Sequence, residues 1–529
     1  MSASGINNTS RRKFLKASAA SVGAATIAEM SAGMPASAAE PPRKWDRTAD
    51  VVVVGYGGAG AVTAVTAHDK GAKVLILEKQ AEAKHTSNTQ MCLGAILSPD
   101  NVADTIVYMG VASRVNVDLP ETKDISDAII KAWADYSVQN KDWLARMGVK
   151  DFAVYANAGR DPRWPGNSAI KAYQIKTAEG AIGTGVDLFN FLDGLVRERK
   201  IDVLWEAPAA RLFVSKGRVV GVTAKSNGRD ITIRARRAVV LTCGGFEFDE
   251  AAQRTYMVTA PMVYYGNPDN TGDGLRMAQE IGADLWHMTV LGGGLKLKFP
   301  DFPTAFGEAF GTGSYLVVDR NAKRFKAEDQ LGGYSGYWNA IVYDTNKYTW
   351  PRIPVFYVFD DRRRMAGPII RTGFGAAGPL GMYKWSQDNS AEVARGWIKS
   401  DPTIEGLAAK LGLDSSALKA EVERFNGFST SGKDADFGRA PRTLGALETP
   451  PFYAVQLWPG LNNTYGGPRR NEKAQVMDVF GKPIEGLYSA GELGSIFVQY
   501  PQGGANIGEC IAFGRIAGEN AAAAKISSL

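Results

Sequence analysis

The chain predicts an α/β protein in which the two ends of the sequence build one domain, with length enough for an insertion between them. Three observations carry that prediction. Near the start, ADVVVVGYGGAGAVTAVTAHDKGAKVLILEK reads as strand, glycine turn, helix and second strand in direct succession. In the middle, short strands around Arg211 to Ala235 lead into an apolar strand from Ala238 to Leu241, which runs on to Cys243-Gly244-Gly245-Phe246. Near the end, IEGLYSAGELGS runs a strand into Gly491-Glu492, and GANIGECIAFGRIAG starts a helix that returns to the first sheet.

The first element is a leader. Ser10 to Lys16 reads SRRKFLK, and the alanine- and glycine-rich stretch behind it holds too little hydrocarbon to span a bilayer before a small-x-small site at Ala36-Ser37-Ala38. The pattern resembles a twin-arginine signal, which serves proteins that fold before they cross the membrane. Residues 1–38 are therefore expected to be removed, leaving a chain that works in the periplasm or outside the cell.

Composition narrows the range of partners. Of 61 basic and 55 acidic residues, four and one fall in the leader, so the remaining chain carries only a small positive balance and no field suited to nucleic acid. No later apolar run approaches a membrane span, so no stable membrane insertion is expected once the signal is gone. Cys92, Cys243 and Cys510 are too scattered for a disulfide framework, and His68, His85 and His287 lack metal-ligand spacing, so no metal is expected.

The glycine turn carries the first functional reading. Gly55-Tyr56-Gly57-Gly58-Ala59-Gly60 is a G-x-G-x-x-G segment between a strand and a helix. Its glycines allow a tight turn and close approach of backbone to a pyrophosphate at the helix N-terminus, and Glu78 ends the second strand where it accepts hydrogen bonds from an adenosine ribose. The unit predicts a Rossmann-like dinucleotide site. The late strand and helix, which bring the C-terminal segment back to a ribityl chain and flavin ring, favour FAD over a nicotinamide.

The chain resembles the flavoprotein subunit family of succinate dehydrogenase and fumarate reductase, in particular its soluble periplasmic reductases, and more distantly the 3-ketosteroid 1-dehydrogenases. The stretches that carry the likeness are the Gly55 loop, SNTQMCLGA (87–95), CGGF (243–246), NTGDGLRMAQEIGADL (270–285), FNGFSTSGKDADFGR (425–439), NNTYGGPRRN (462–471) and the C-terminal SAGE and IAFGRIAG segments. The resemblance implies non-covalent FAD held by Gly55, Gly57, Gly58, Ala59, Gly60, Glu78, Ser87, Asn88, Gly244, Asp273, Asn463, Gly491, Glu492, Asn506 and Ile507. It implies a mature chain divided into a Rossmann-like FAD-binding domain over 46–287 and 452–529 and an inserted α+β capping, substrate domain over 288–451. The family's fused haem and flavin-mononucleotide carrier domains have no counterpart here, so a separate quinone- or cytochrome-linked redox partner is implied.

Departures from the family redirect the chemistry. Gly292-Gly293-Gly294 stands where fumarate reductases have a His-Pro-Thr segment, Asn462 replaces a substrate-binding histidine, and Pro501 replaces an arginine that clamps the second carboxylate. The proton-donating arginine after the Arg324-Phe325 motif is missing as well. Tyr500 and Gly504 instead match the phenol and backbone N–H with which ketosteroid dehydrogenases polarise a carbonyl, and Tyr334 lies near that family's proton-transferring tyrosine, with Tyr337 as its rival. Arg371 and Glu308 are further candidates for substrate contact, and Trp164, Trp286 and Trp338 for an apolar pocket. The resulting expectation is an exported FAD-dependent oxidoreductase that desaturates, or reduces, the bond α,β to a carbonyl on a cyclic ketone or steroid-like substrate. The alternatives are a respiratory reductase of an unsaturated carboxylic acid and a flavin-bearing electron carrier without catalysis. Outside the site, residues 182–199 predict an amphipathic helix, and Asp414 caps another from Ala417 to Asn426 after Gly412 stops its predecessor.

Overall fold

The computed structural model describes residues 39–372, 383–498 and 503–528. Four consecutive valines place Arg47–Val54 at the centre of an eight-stranded sheet, buried on both faces as a parallel strand must be. It pairs in parallel with Val74–Leu77 on one side and with Arg229–Leu241 on the other. Asp202–Leu204 extends the sheet at one edge, and the hairpin strands Ala209–Ser215 and Arg218–Ser226 turn back on Arg229–Leu241. The late strand Pro483–Ser489 lies parallel to Arg229–Leu241, with Leu487 opposite Val239, so the two ends of the chain do share one sheet.

Two helices lock those ends together. Gly58–Asp69 follows the first strand, and Ala505–Ala523 packs along it. Gly514 and Gly518 permit the approach, since a Cβ at Gly518 would lie 2.7 Å from the Thr63 carbonyl oxygen and one at Gly514 would lie 3.0 Å from Val62 Cβ. The helix expected over 182–199 runs from Gly185 to Glu198, started by a capping box between Thr184 and Asp187.

A second, seven-stranded sheet forms the inserted α+β unit. Its sides are read from alternation: Tyr315, Val317, Tyr357 and Phe359 enter one apolar cluster, while Leu316, Val318, Phe356 and Val358 enter another. The second cluster is closed by the helices Ile404–Leu411 and Ser415–Ser431. The latter is capped by Asp414, as expected, but continues a turn and more past Asn426 to Gly432 in the left-handed conformation. A buried ion network pins loops to this unit: Arg324 donates to Glu328 at 2.7 and 2.8 Å and to Asp434 at 2.9 Å, while Arg439 donates to the Tyr315 carbonyl at 2.7 Å.

The sheet crosses the boundary expected at 451/452. The central strand of this second sheet is Phe452–Thr464, which pairs with Val355–Asp360 through its first half and with Leu291–Leu297 through its second. Among the described residues, no helix is long and apolar enough to cross a membrane, and no cluster of His, Cys, Asp and Glu is placed to hold a metal ion.

Candidate active site

A cavity of about 480 Å³ runs from the end of the first sheet to the inserted unit. The Gly55 turn forms one end. Gly55 has φ +99°, and a Cβ there would lie 2.6 Å from Cys243 Cα, so only glycine lets the two sheet loops touch. The helix Gly58–Asp69 presents its N-terminus here, the end that favours an anion. Glu78 is oriented by two backbone donors, Gln80 N–H at 2.8 Å to Oε1 and Tyr56 N–H at 3.0 Å to Oε2. Burial pushes its carboxyl above the ordinary carboxylate range. His85 lies 3.9 Å from Glu78 and stacks on Tyr56, and burial lowers its imidazole to about 4, so it adds a neutral ring beside the carboxylate.

Further along the wall stands Glu492, and Glu247 is fully buried behind it. Asn88 Nδ2 donates to Glu492 at 2.9 Å and to Glu247 at 3.3 Å, and Thr464 N–H lies 3.2 Å from an oxygen of each. Burial, then the proximity of Glu247, drives the Glu492 carboxyl well above its usual range, and burial raises Glu247 in the same direction. Cys92 and Cys243 also line this stretch, with thiols raised by burial to about 11 and about 12, so neither is a ready thiolate.

Tyrosines mark the far end. Tyr334, at the start of the helix Tyr334–Ala340, places its hydroxyl 3.5 Å from that of Tyr465. Tyr465 donates to Asn506 Oδ1 at 2.9 Å, and Asn506 Nδ2 donates to Asn463 Oδ1 at 3.0 Å. The Arg160 guanidinium lies 5.3 Å from the centre of the Tyr334 ring. Burial raises both phenols, Tyr465 well above the usual value, while the contact with Tyr465 and then Arg160 pull Tyr334 back towards it.

Of the residues singled out in the sequence, Gly55, Gly57, Gly58, Ala59, Glu78, Ser87, Asn88, Gly244, Asp273, Asn463, Glu492, Asn506 and Ile507 line this one cavity, together with Tyr334, Gly504, Glu308 and Arg371. Gly60 and Gly491 are not in its wall: a Cβ at Gly60 would lie 2.1 Å from the Gly55 oxygen and one at Gly491 would lie 2.7 Å from Ala59 Cβ, so both are packing glycines behind it. Tyr500 lies outside the described residues. Tyr337 is buried away from the wall against Trp338, Trp286 stacks on His287 at 4.4 Å, and Trp164 packs on Tyr108. Sequence patterning did not single out Tyr465, Arg160 or Lys296. Tyr465 stands inside NNTYGG, and Lys296 is visible as a charge within the apolar strand Leu291–Leu297.

The wall fits FAD. It offers a backbone cradle at a helix N-terminus, an oriented carboxylate at one end for a ribose, and a long channel leading past amides to a site walled by tyrosines. Comparison with known proteins agrees. Residues 50–507 match the FAD binding domain family. The chain is 30% identical over 492 residues to a fumarate reductase (cytochrome) of Shewanella frigidimarina, covering 90% of this chain and 77% of that one. It is 26% identical to a 4-oxocyclohexanecarboxylate 2-dehydrogenase of Sinomonas cyclohexanicum, covering 90% of this chain and 93% of that one. In fold it matches a 3-ketosteroid Δ1-dehydrogenase from Sterolibacterium denitrificans with a TM-score of 0.75 at 22% identity, covering 90% of this chain and 100% of that one. The chain thus belongs to the FAD-binding flavoprotein family of fumarate reductases and ketosteroid dehydrogenases, and is an FAD-dependent oxidoreductase acting on carbon–carbon single and double bonds.

Proposed function

We propose that the protein desaturates, or in the reverse direction reduces, the bond α,β to a carbonyl, with a cyclic ketone or steroid-like enone as the substrate class. The observation that carries the reading is the Tyr334–Tyr465 hydroxyl pair, 3.5 Å apart at the far end of the FAD cavity. FAD supplies hydride transfer when bound. What remains for the chain is the α-proton and the charge on the carbonyl oxygen.

Tyr334 suits the proton. Its ring sits beside a guanidinium that favours the phenolate, whereas Tyr465 donates to Asn506 and keeps its hydroxyl 3.5 Å from that of Tyr334. Removing the α-proton leaves an enolate in desaturation, and returning it completes reduction, so the same phenol serves both directions. Gly504 belongs to the carbonyl-polarising half of the reading; it lies in the cavity wall just ahead of the helix Ala505–Ala523. The same proposal includes export through the twin-arginine pathway to the periplasm and electron exchange with a separate quinone- or cytochrome-linked partner.

The test is anaerobic stopped flow on the FAD-loaded protein with saturated and unsaturated cyclic ketones, unsaturated acids and dicarboxylates. Loss of oxidised flavin with a saturated ketone, or its return from reduced flavin with an enone, supports the proposal, and Tyr334→Phe should slow that step about 100-fold or more. A response confined to carboxylic acids would overturn it in favour of an acid reductase, with Arg371 as clamp. Silence from a flavin that reduces normally with dithionite would favour the electron carrier.

A further inference from the structure

Lys296 and Glu308 form a buried ion pair in the cavity wall that the chemistry above does not use. Lys296 stands on the strand Leu291–Leu297, paired opposite Gly307, and Glu308 follows directly on that partner strand. Lys296 is 7% exposed and Glu308 3%. The neighbouring strand makes room for the lysine: a Cβ at Gly460 would lie 2.3 Å from Lys296 Cγ. The chain has thus admitted a charge into an apolar strand and left out a side chain to house it, which costs free energy that packing alone does not return.

The pair is also incompletely satisfied. Lys296 Nζ and Glu308 Oε2 are 3.7 Å apart, beyond the roughly 3.2 Å limit of a good N–H···O hydrogen bond. Among the described residues, Glu308 Oε2 has no hydrogen-bond partner, and Oε1 receives a long bond from Gly333 N–H at 3.4 Å. Arg371 occupies the same corner, donating from Nε to the Glu308 carbonyl at 3.1 Å. Both residues line the cavity, with Lys296 Nζ 5.9 Å from the centre of the Tyr265 ring, so a strong donor and an incompletely paired acceptor stand together in its wall.

The complement of such a pair is one atom that both accepts and donates, which is a hydroxyl oxygen. A ketone oxygen would serve Lys296 and leave Glu308 unpaired, and a carboxylate would set its charge against that of Glu308. We propose, resting on the carbonyl reading above, that Lys296 and Glu308 form a specificity site for an alcohol or phenol hydroxyl carried by the substrate away from its reacting bond. Lys296 donates to the hydroxyl oxygen and the Glu308 carboxylate accepts its proton. Arg371 adds positive charge to this corner and holds Glu308 in place through its backbone.

Binding to the oxidised, FAD-loaded protein tests this, read as perturbation of the flavin spectrum, with turnover of the same compounds followed in parallel. The probes are cyclohexanone, 4-hydroxycyclohexanone and 4-oxocyclohexanecarboxylate. The hydroxyketone should bind wild type about tenfold or more tighter than cyclohexanone, because a site built for a hydroxyl leaves buried groups unpaired with the analogue that lacks it. That ratio should fall towards one in both Lys296→Met, which keeps the stem over Gly460, and Glu308→Gln. Equal binding of the two ketones by wild type, or tightest binding of the carboxylate, would overturn the proposal. So would a ratio that survives both substitutions in variants that retain wild-type FAD content. Ketones turned over without a hydroxyl preference would sink this inference alone, whereas a hydroxyl preference in binding without turnover would sink the carbonyl reading alone. Absence of binding by all three would count against both.

Discussion

Glu247 and Glu492 hold their carboxylates against the same two donors, Asn88 Nδ2 and Thr464 N–H, with no cation in the set. Two neutral donors do not offset two buried negative charges, so the pair retains a proton under conditions where exposed carboxylates are ionised. Glu492, raised furthest by burial and by the neighbouring Glu247, is the member that keeps it.

Glu247→Gln should remove that shared proton. The folded pair has its carboxyls raised, so the folded state binds more protons than the unfolded chain, and stability falls as pH rises above the ordinary glutamate range of about 4.5. In the variant this decline should flatten, and the infrared carbonyl stretch of a protonated carboxylic acid should weaken. An unchanged infrared band and an unchanged pH slope would show that the proton resides elsewhere.

Tyr465→Phe should lower turnover about tenfold to 100-fold and shift the basic limb of the pH–rate profile, because Tyr334 loses the oxygen that stands beside its own hydroxyl. Tyr334→Phe should instead lower kcat throughout the profile. A pH profile that moves equally little in both variants would leave neither phenol in proton transfer.

Within the inserted unit, Glu328→Gln should cost about 3 kcal/mol of stability, since it removes a carboxylate shared by two buried arginines and leaves Arg324 with Asp434 and Arg439 with backbone carbonyls. Asp434 in the same network is pushed up by burial but held down further by Arg324, to about 2. A carboxyl depressed in this way contributes stability above its unfolded value of about 4 and loses it as the pH falls towards 2. Chemical denaturation across that window measures both effects, and Asp434→Asn should flatten the acid limb.

Gly518→Leu should destabilise by about 1–3 kcal/mol by wedging the C-terminal helix off the helix that follows the Gly55 turn. FAD retention should fall with it, because Asn506 and Ile507 ride on the displaced helix. Full FAD content together with lowered stability would separate the packing from the site.

Much of the fold was legible in linear form. The valine run, the Gly55 turn and the acid ending the second strand are local, and local patterns carry directly into the sheet and the cavity wall. The C-terminal helix was equally plain, because GANIGECIAFGRIAG follows closely on the strand that runs into Gly491-Glu492. Length was harder: the helix Ser415–Ser431 continues through Asn426-Gly427, and its continuation depends on packing of Phe425 and on hydrogen bonds such as Thr430 to the Asn426 carbonyl. The tyrosine pair was harder still. Tyr334 and Tyr465 lie on separate elements and meet only because Phe452–Thr464 delivers the second beside the first. Lys296 escaped for a related reason, since its meaning depends on Gly460 across the sheet.

The 13-residue strand Phe452–Thr464 is a mechanical tie. Its first half is stitched into the middle of the inserted unit, and its last residue grips both buried acids through one amide. Any swing of the inserted unit therefore pulls on the same backbone that holds the Glu247–Glu492 proton, so substrate entry and the charge beside the flavin site are strained or relaxed together. Hydrogen exchange at the Thr464 amide would register the pull, slowing when a ligand draws the unit shut and quickening when the cavity stands open.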